Sequence, residues 1–271
     1  MSRMVSTAEA RPFLKWAGGK QALAEQLVDR FPARFAAYYE PFLGGGSVFF
    51  TLAPGTAVLG DANAWLMDTF EAVRKDWREV AAALGTFRNT KQDYLKLRTK
   101  GPAALGLFER AALFIYLNKT CFRGLFRVNR EGMFNVPYGA YKRRYFDPIV
   151  LHAASERLRG ATLRHGDFES SLDGVRCGDF VYLDPPYYKL GGYSDFNRYT
   201  PGQFRADDHL RLAAACRRLD SRGVRWAVSN SDTPFVRAAY RGFKVERVSG
   251  RREINLNSGR RDVPELLIRN Y

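Results

Sequence analysis

Cysteines and long apolar runs are both scarce in this chain of 271 residues. The three cysteines, at positions 121, 177 and 216, are too few and too scattered for a disulfide framework or a zinc site. No stretch approaches the ~20 continuous apolar residues of a membrane-spanning helix, and residues 1–11 lack the apolar core of a signal peptide. Because 46% of the residues are hydrophobic, most of the chain is not intrinsically disordered. We therefore expect a folded, soluble protein of the cytoplasm.

Acidic residues are also in deficit: 28 Asp and Glu stand against 43 Lys and Arg, a formal charge of +15. Such an excess favours a polyanionic partner, although a merely soluble basic surface would have the same composition. The charges are clustered. Residues 119–144 contain seven basic side chains and one acid, with aromatic residues between them, and residues 237–261 form a second basic cluster. Basic side chains interleaved with rings suit contacts to phosphates and bases.

Short apolar runs alternate with helical periodicity over much of the chain, which is typical of an α/β sheet. Residues 76–145 interrupt this alternation. We interpret them as an inserted, mainly helical domain that ends in a β-hairpin, between two parts of one α/β domain at 12–75 and 146–271. The predicted strands are 36–42, 56–60, 180–183 and 224–228, and the predicted helices are 47–52, 64–75 and 203–219.

A glycine turn follows the first predicted strand, in the order Glu40-Pro41-Phe42-Leu43-Gly44-Gly45-Gly46-Ser47. Glycines let a backbone approach a ligand closely, and the helix that follows presents its N-terminus to negative charge. A tight structural turn would look the same. Asp61, however, ends the next strand, where an acid in a Rossmann-like sheet accepts a ribose hydroxyl. Together they predict a nucleoside-containing cofactor at the carboxyl ends of the strands.

A more specific motif, Asp184-Pro185-Pro186-Tyr187, follows the buried strand 180–183. Two prolines remove two backbone donors, so the turn offers a carboxylate, an acceptor-only carbonyl and an aromatic ring in one place. This set fits an exocyclic amine of a base: the acceptors take its N–H bonds and the Tyr187 ring stacks on the base. The alternative is a proline-stiffened loop with an incidental Asp.

These motifs, in this order, resemble the Dam family of DNA adenine methyltransferases, which use S-adenosylmethionine to methylate N6 of adenine. The resemblance runs from Phe13 to Tyr271. It begins with Phe13-Leu14-Lys15-Trp16-Ala17-Gly18-Gly19-Lys20, continues through the glycine turn and Gly60-Asp61-Ala62-Asn63, and ends with Asp184-Pro185-Pro186-Tyr187. Between them, residues 118–129 and 132–139 resemble the family's target-recognition hairpin. The implied fold is a Rossmann-like methyltransferase sheet.

The resemblance implies roles for individual residues. Asp184, Pro185, Pro186 and Tyr187 would form the catalytic turn, and S-adenosylmethionine would be bound by Trp16, Lys20, Glu40, Phe42, Asp61 and Asp184. The segment Gly166-Asp167-Phe168 resembles the family motif near the target adenine, although a surface turn explains it almost as well.

Double-stranded DNA would be the partner, with no obligate protein partner, in the nucleoid of a bacterial or phage-infected cell. Arg127 is the candidate for a bidentate contact to guanine and Leu125 for an apolar contact to a thymine methyl group. Arg123 stands where the family pattern favours a small polar residue, and with Lys142, Arg143 and Arg144 it is expected to contact phosphates. The expected recognition sequence is GATC. The full set of expected DNA contacts is Lys15, Arg123, Leu125, Arg127, Asn129, Tyr141 and Lys142.

Three alternatives stay open at this point. An RNA or cytosine-N4 methyltransferase would also act on an exocyclic amine, although Asp184 and the recognition segment favour adenine and DNA. A non-catalytic DNA-binding module would keep the fold. A nicotinamide oxidoreductase would use the glycine turn but would not need the Asp-Pro-Pro-Tyr turn.

Overall fold

The computed structural model describes residues 9–129, 131–188, 204–248 and 265–271. Within them a seven-stranded sheet has the order β3-β2-β1-β4-β5-β7-β6. β1 to β5 are parallel to one another, and β7 runs antiparallel between β5 and β6. The fold is therefore a mixed α/β fold with a mostly parallel sheet, consistent with the Rossmann-like sheet that the resemblance implies. The strands are β1 Tyr38–Glu40, β2 Ala57–Asp61, β3 Ala161–His165, β4 Phe180–Leu183, β5 Arg225–Ser231, β6 Lys244–Val248 and β7 Glu265–Arg269.

Helices cover both faces of the sheet. Successive side chains of a strand point to opposite faces, so each buried strand contributes residues to two hydrophobic clusters, one on each face. Tyr38 faces the larger cluster with helices α3, α5 and α6, and Tyr39 faces the smaller one with α8 and α9. The helices are α1 Ala24–Val28, α2 Ser47–Leu52, α3 Ala64–Gly85, α4 Lys91–Arg98, α5 Leu107–Thr120, α6 Pro148–Leu158, α7 Phe168–Ser171, α8 Ala206–Ser221 and α9 Pro234–Ala239.

Local chemistry sets most of the element ends. The Asn63 side chain accepts from the Leu66 N–H and begins α3, while Asp147 and Thr233 cap α6 and α9, each followed by proline at the first helical position. β1 is shorter than the predicted 36–42, because Pro41 has no N–H and the chain turns there into the glycine run. α8 begins at Ala206, after an extended Arg205, and position 203 of the predicted helix lies outside the described residues.

The helix predicted for 64–75 continues to Gly85, with a break at Asp76. Asp76 has φ −156° and ψ 96°, and its carboxylate accepts from the Arg78 N–H at 2.9 Å, as an N-cap does. α3 is thus two helical pieces joined at the predicted boundary between 75 and 76. Val80 and Leu84, beyond the break, lie in the same hydrophobic cluster as the sheet residue Tyr38, so this part of the chain shares a core with the sheet.

The predicted hairpin lies in an irregular segment after α5. Two isolated antiparallel bridges join Cys121 to Tyr138 and Val128 to Phe134, and the Asn129 N–H donates to the Met133 carbonyl at 2.9 Å. The described residues of this segment thus pair through isolated bridges and form no regular strand. Arg130 lies outside the described residues.

Candidate active site

Four carboxylates lie at the edge of the sheet where the parallel strands end. Glu40 ends β1, Asp61 ends β2 and Asp184 directly follows β4. Because β7 is antiparallel, its first residue, Glu265, lies at the same edge, opposite Ser231 at the end of β5. β1 and β4 are neighbours at the point where the strand order reverses, the usual position of a ligand crevice in such sheets. We call Glu40, Asp61, Asp184 and Glu265 the carboxylate edge.

Lys20 lies within this edge. It is only 5% exposed, and its Nζ is 2.8 Å from Asp184 Oδ2 and 3.9 Å from Glu265 Oε2. The same ammonium donates to the Gly18 carbonyl at 2.9 Å and lies 4.7 Å from the centroid of the Tyr187 ring. Lys20, predicted to bind the cofactor, is therefore brought together with Asp184 and Tyr187, two members of the turn predicted to be catalytic.

Tyr187 is held at both its face and its tip. Its hydroxyl donates to Glu265 Oε2 at 2.7 Å, while Lys20 lies over its ring. Burial, followed by the charges of Asp184 and Glu265, raises the pKa of Tyr187 well above its usual value. The hydroxyl therefore remains a protonated donor.

Glu40 is a buried acid beside the same turn. Burial raises its pKa to about 8, and the charge of Asp184 acts in the same direction. The Tyr38 hydroxyl, which donates to Glu40 Oε2 at 2.8 Å, and the Phe49 backbone amide partly offset that rise. At neutral pH the Glu40 side chain therefore largely keeps its proton.

Asp61 closes the glycine turn. Its Oδ2 accepts from the Gly44 N–H at 3.0 Å and its Oδ1 from the Asn63 N–H at 2.9 Å. Burial raises its pKa, and these backbone bonds lower it again. The residue predicted to bind a ribose thus also fixes the turn that would approach the cofactor.

Trp16 explains why this turn needs glycine. A Cβ on Gly44, which has φ +50°, would lie 2.7 Å from Trp16 Cδ1, and one on Gly45 would lie 3.2 Å from Trp16 Cβ. The indole also stacks with Phe126 at 5.7 Å and 24°. Trp16 therefore lies between the glycine turn and the segment that resembles a recognition hairpin.

Phe42, two residues after the end of β1, packs in a group of three aromatic rings with Phe168 and Phe204. Its ring stacks on Phe168 at 5.5 Å and meets Phe204 edge-on at 5.7 Å. Asp167, just before Phe168, is paired with Arg211 at 2.7 Å and caps α7. The Gly166-Asp167-Phe168 segment thus lies beside Phe42.

Asn118 fastens the N-terminal motif to the predicted DNA-binding segment. This fully buried amide accepts from the Lys15 N–H at 2.8 Å and donates to the Lys15 carbonyl at 2.7 Å and the Gly124 carbonyl at 3.3 Å. A Cβ on Gly124, which has φ +66°, would collide with the Lys15 side chain. Lys15 is thereby held against the segment, with its Nζ 5.1 Å from the Tyr141 ring.

Within this segment, the predicted base-reading side chains have different surroundings. Arg127 is oriented by Asn135, which accepts from Nε at 2.7 Å through its side chain and from Nη2 at 3.3 Å through its carbonyl. The Asn129 side chain closes the turn by accepting from the Glu131 and Met133 amides. Leu125 is half-buried against the large hydrophobic cluster.

A cationic cavity of about 970 Å³ adjoins this segment. Its lining includes Trp16 and Gly45 of the glycine-turn side, and five basic residues: Arg11, Lys15, Lys119, Arg123 and Arg144. Burial, then the charges of Lys15, Arg143 and Arg11, lowers the pKa of Lys119 to about 8. A wall of this composition is suited to an anion.

Of the remaining predicted DNA contacts, Arg123 lines this cavity. Arg123 has φ +58° and donates its backbone N–H to the Tyr141 hydroxyl at 2.9 Å. Lys142 is exposed. In the second basic cluster, Arg237 and Arg247 are both paired with Asp232, and residues 249–261 lie outside the described part of the chain.

The carboxylate edge fits S-adenosylmethionine, the cofactor that the resemblance implies. The carboxylates of Asp61, Asp184 and Glu265 suit its sulfonium and ammonium charges, Glu40 adds a largely neutral acid, and the Phe42 ring offers a face on which an adenine stacks. Across the described ranges no group of His, Cys, Asp and Glu is arranged to hold a metal ion. No helix in those ranges is long and apolar enough to cross a membrane.

The sequence did not predict a role for Glu265 or Tyr38, nor the anchoring role of Asn118 within the segment 118–129. Asn118 carries the clearest local signal, since a polar residue stands within an apolar helix. Tyr38 lies two residues before Glu40 on β1, so the two side chains point to the same face of the sheet. Glu265 heads an apolar strand, but its partner Tyr187 is 78 residues away, so nothing local assigns it to the turn.

Known proteins resemble this chain over most of its length. The family model described as D12 class N6 adenine-specific DNA methyltransferase matches residues 16–254. The Type II methyltransferase M.MjaIII of Methanocaldococcus jannaschii is 38% identical over 97% of this chain and 100% of its own length. The Type II methyltransferase M1.LlaDCHI of Lactococcus lactis subsp. cremoris is 35% identical over 96% of this chain and 95% of its own. The DNA adenine methylase of Escherichia coli K12 is 34% identical over 95% of this chain and 94% of its own. The resemblance found in the sequence is thus confirmed: the chain belongs to the D12 class of N6 adenine-specific DNA methyltransferases, enzymes that methylate adenine in DNA.

Proposed function

We propose that this enzyme transfers a methyl group from S-adenosylmethionine to N6 of an adenine flipped out of duplex DNA, at the sequence GATC. The observation that carries the proposal is the arrangement of the Asp184–Tyr187 turn at the switch point of the sheet. There the Asp184 carboxylate and the half-buried Tyr187 ring are held together around Lys20, and the two prolines between them in sequence leave carbonyls without N–H donors. An exocyclic amine on an aromatic base needs this combination of groups.

Asp184 would accept one N–H of the target amine and the Pro185 carbonyl the other. The nitrogen lone pair, otherwise delocalised into the adenine ring, is then available for attack. Tyr187 would stack on the flipped base, which holds the amine in line. When bound, S-adenosylmethionine supplies the methyl group from its sulfonium.

The cofactor would be held by the carboxylate edge and its neighbours. Asp61 would accept a ribose hydroxyl with the face of its carboxylate that the Gly44 and Asn63 amides leave open. Phe42 would contribute an apolar wall, and Trp16 would close the pocket over the glycine turn. Glu40 and Lys20 would complete it, and Lys20 would at the same time keep Asp184 oriented.

DNA would lie against the part of the chain at 76–145, which we propose as the target-recognition domain, with 12–75 and 146–271 as the catalytic domain. The break of α3 at Asp76 supports the first boundary. The cationic cavity, to which this part of the chain contributes Lys119, Arg123 and Arg144, supports phosphate binding, and Lys142 would contribute a further phosphate contact.

Base recognition would come from the irregular segment after α5, acting as the recognition hairpin. Arg127, oriented by Asn135, would read a guanine edge, and Leu125 a thymine methyl group. Asn129 would act at the turn that it closes, and Lys15 and Tyr141, which lie together, would contact a further base. The enzyme would work at the nucleoid and needs no protein partner for these steps.

The test of specificity is a panel of unmethylated duplexes in which each position of GATC is substituted in turn. Methyl transfer from labelled S-adenosylmethionine is expected to fall at every substituted position. Equal methylation of all duplexes would refute GATC while leaving adenine methylation intact.

A further inference from the structure

The ends of β5 and β7 lie directly beside the catalytic turn. In the antiparallel register Ser231 is opposite Glu265, and Asn230 is opposite Leu266. The side-chain oxygens of Glu265, Asn230 and Ser231 therefore meet at the edge of the sheet that carries Tyr187 and Tyr188.

Each of these oxygens bonds the turn. Glu265 accepts from the Tyr187 hydroxyl at 2.7 Å. Asn230 Oδ1 accepts from the Tyr188 N–H at 3.3 Å, and the Ser231 hydroxyl donates to the Tyr188 carbonyl at 2.6 Å. The tip of one tyrosine and both backbone polar groups of the next are thus fastened to the same pair of strands.

The turn needs such external contacts because Pro185 and Pro186 have no N–H with which to fix it. Asn230 is itself fully buried, and its Oδ1 also accepts from the Ser231 N–H at 2.8 Å, so its amide has one orientation. The Tyr188 ring stacks on Phe235 at 4.1 Å, which holds the same residue from a third side.

We propose that Glu265, Asn230 and Ser231 are positioning residues that fix the Tyr187 ring where the flipped adenine stacks. This inference rests on the proposed role of Tyr187. Preorganisation of the stacking ring lowers the barrier of the chemical step, because the base is then captured in reactive geometry without reordering the turn. Loss of the contacts should lower kcat and leave duplex affinity unchanged, since neither Glu265 nor Ser231 lies among the basic DNA-contacting groups.

The experiment is a double-mutant cycle on the full-length enzyme, with Tyr187→Phe, Glu265→Ala and the double variant. Two readouts are taken: kcat for methyl transfer to a GATC duplex, and fluorescence of a duplex with 2-aminopurine at the target position. That fluorescence rises when the base leaves the helix and is quenched when it stacks on a ring. Glu265→Gln tests rescue, because its amide oxygen still accepts from the hydroxyl. Glu246→Gln, which alters a carboxylate paired with Arg30 and Arg269, is the matched control.

We expect Tyr187→Phe and Glu265→Ala each to lower kcat by about tenfold, as loss of a charge-assisted hydrogen bond implies, and the double variant to be no slower than the slower single variant. Glu265→Gln should recover most of kcat. Glu265→Ala and Ser231→Ala should show brighter 2-aminopurine than the wild type, since the base flips but stacks poorly. Ser221→Ala, in an exposed hydroxyl at the end of α8, should behave as the wild type.

Multiplicative losses in the double variant, or wild-type fluorescence and kcat in Glu265→Ala, would overturn the proposal. If Glu265→Ala does not fold, Glu265→Asp is made in the wild type and in the Tyr187→Phe variant, because the shorter side chain no longer reaches the Tyr187 hydroxyl. A loss of kcat in the wild-type background alone supports the contact, and equal losses in both backgrounds, or no loss in either, refute it. Absence of adenine methylation by the wild type would instead refute the proposed function.

Discussion

Asp61 closes the glycine turn, and its substitution should separate this role from its proposed contact with a ribose. The carboxylate accepts from the Gly44 and Asn63 amides, and we propose that it also accepts a ribose hydroxyl. Each charge-assisted hydrogen bond contributes about 1.5 to 3 kcal/mol. Two lost bonds would give about 3 to 6 kcal/mol, and the half-buried position lets water replace part of this, so we expect Asp61→Ala to lower the free energy of unfolding by about 2 to 4 kcal/mol.

For a chain of this length such a loss lowers Tm by about 5 °C or more. The loss of the ribose contact should separately weaken S-adenosylmethionine binding by about tenfold or more, as one charge-assisted bond implies. Asp61→Asn keeps one acceptor oxygen and replaces the other by a donor, so we expect it to lose one of the two amide bonds and to lie between Ala and the wild type in Tm.

Thermal melting and calorimetric titration with the cofactor measure the two effects independently. Asp147→Ala is the matched control, since Asp147 also accepts from a backbone amide but caps α6; it should cost about 1 kcal/mol and leave cofactor affinity unchanged. An unchanged Tm in Asp61→Ala would refute the role in the glycine turn. Wild-type cofactor affinity in a folded Asp61 variant would refute the ribose contact.

Four further substitutions test the electrostatics and the DNA interface. Glu40 keeps its proton in the folded state up to a pKa of about 8, whereas the unfolded chain releases it above the ordinary pKa of 4.5, so wild-type stability should fall as the pH rises toward about 8. Glu40→Gln should remove this pH dependence of Tm in melting curves. An unaltered pH dependence in the variant would contradict the buried, protonated state of Glu40. Because the pKa of Lys119 is lowered to about 8, DNA affinity at low salt should fall between pH 7 and 9, and Lys119→Arg should abolish that fall; the same fall in both proteins would assign it elsewhere. Arg127→Ala should weaken the binding of the preferred duplex by about 1 to 3 kcal/mol and relax specificity at one base pair. Lys142→Ala should weaken the binding of all duplexes and reduce the slope of log affinity against log salt concentration by about one. Filter binding at several salt concentrations measures both effects. A uniform loss in Arg127→Ala would make it a phosphate contact.

Local patterns predicted the parts of the fold that local chemistry determines. The strand 180–183 and the helix 47–52 are confirmed at both ends, because a buried apolar run and a glycine turn mark them. The Asp184 turn follows from two prolines after a strand. The end of α3 was missed, since Asp76 restarts the helix instead of ending it.

The contacts between distant segments could not be predicted in this way. Glu265 reaches Tyr187 because β7 inserts antiparallel between β5 and β6, which is a property of the whole sheet. The orientation of Arg127 likewise depends on Asn135, eight residues later in an irregular segment without strand periodicity. A sequence motif therefore identifies a functional residue, whereas the residues that contact it are determined by tertiary packing.

The central claim is that Asp184 supports methylation of adenine N6, and one measurement tests it directly. Wild type and Asp184→Asn are incubated with unmethylated duplex DNA and S-adenosylmethionine, the DNA is digested, and modified nucleosides are quantified by mass spectrometry. We predict N6-methyldeoxyadenosine from the wild type and a loss of about a hundredfold or more in a folded Asp184→Asn variant, as for removal of one group that stabilises a transition state. N4-methyldeoxycytidine as the product, or undiminished methylation by the variant, would contradict the account.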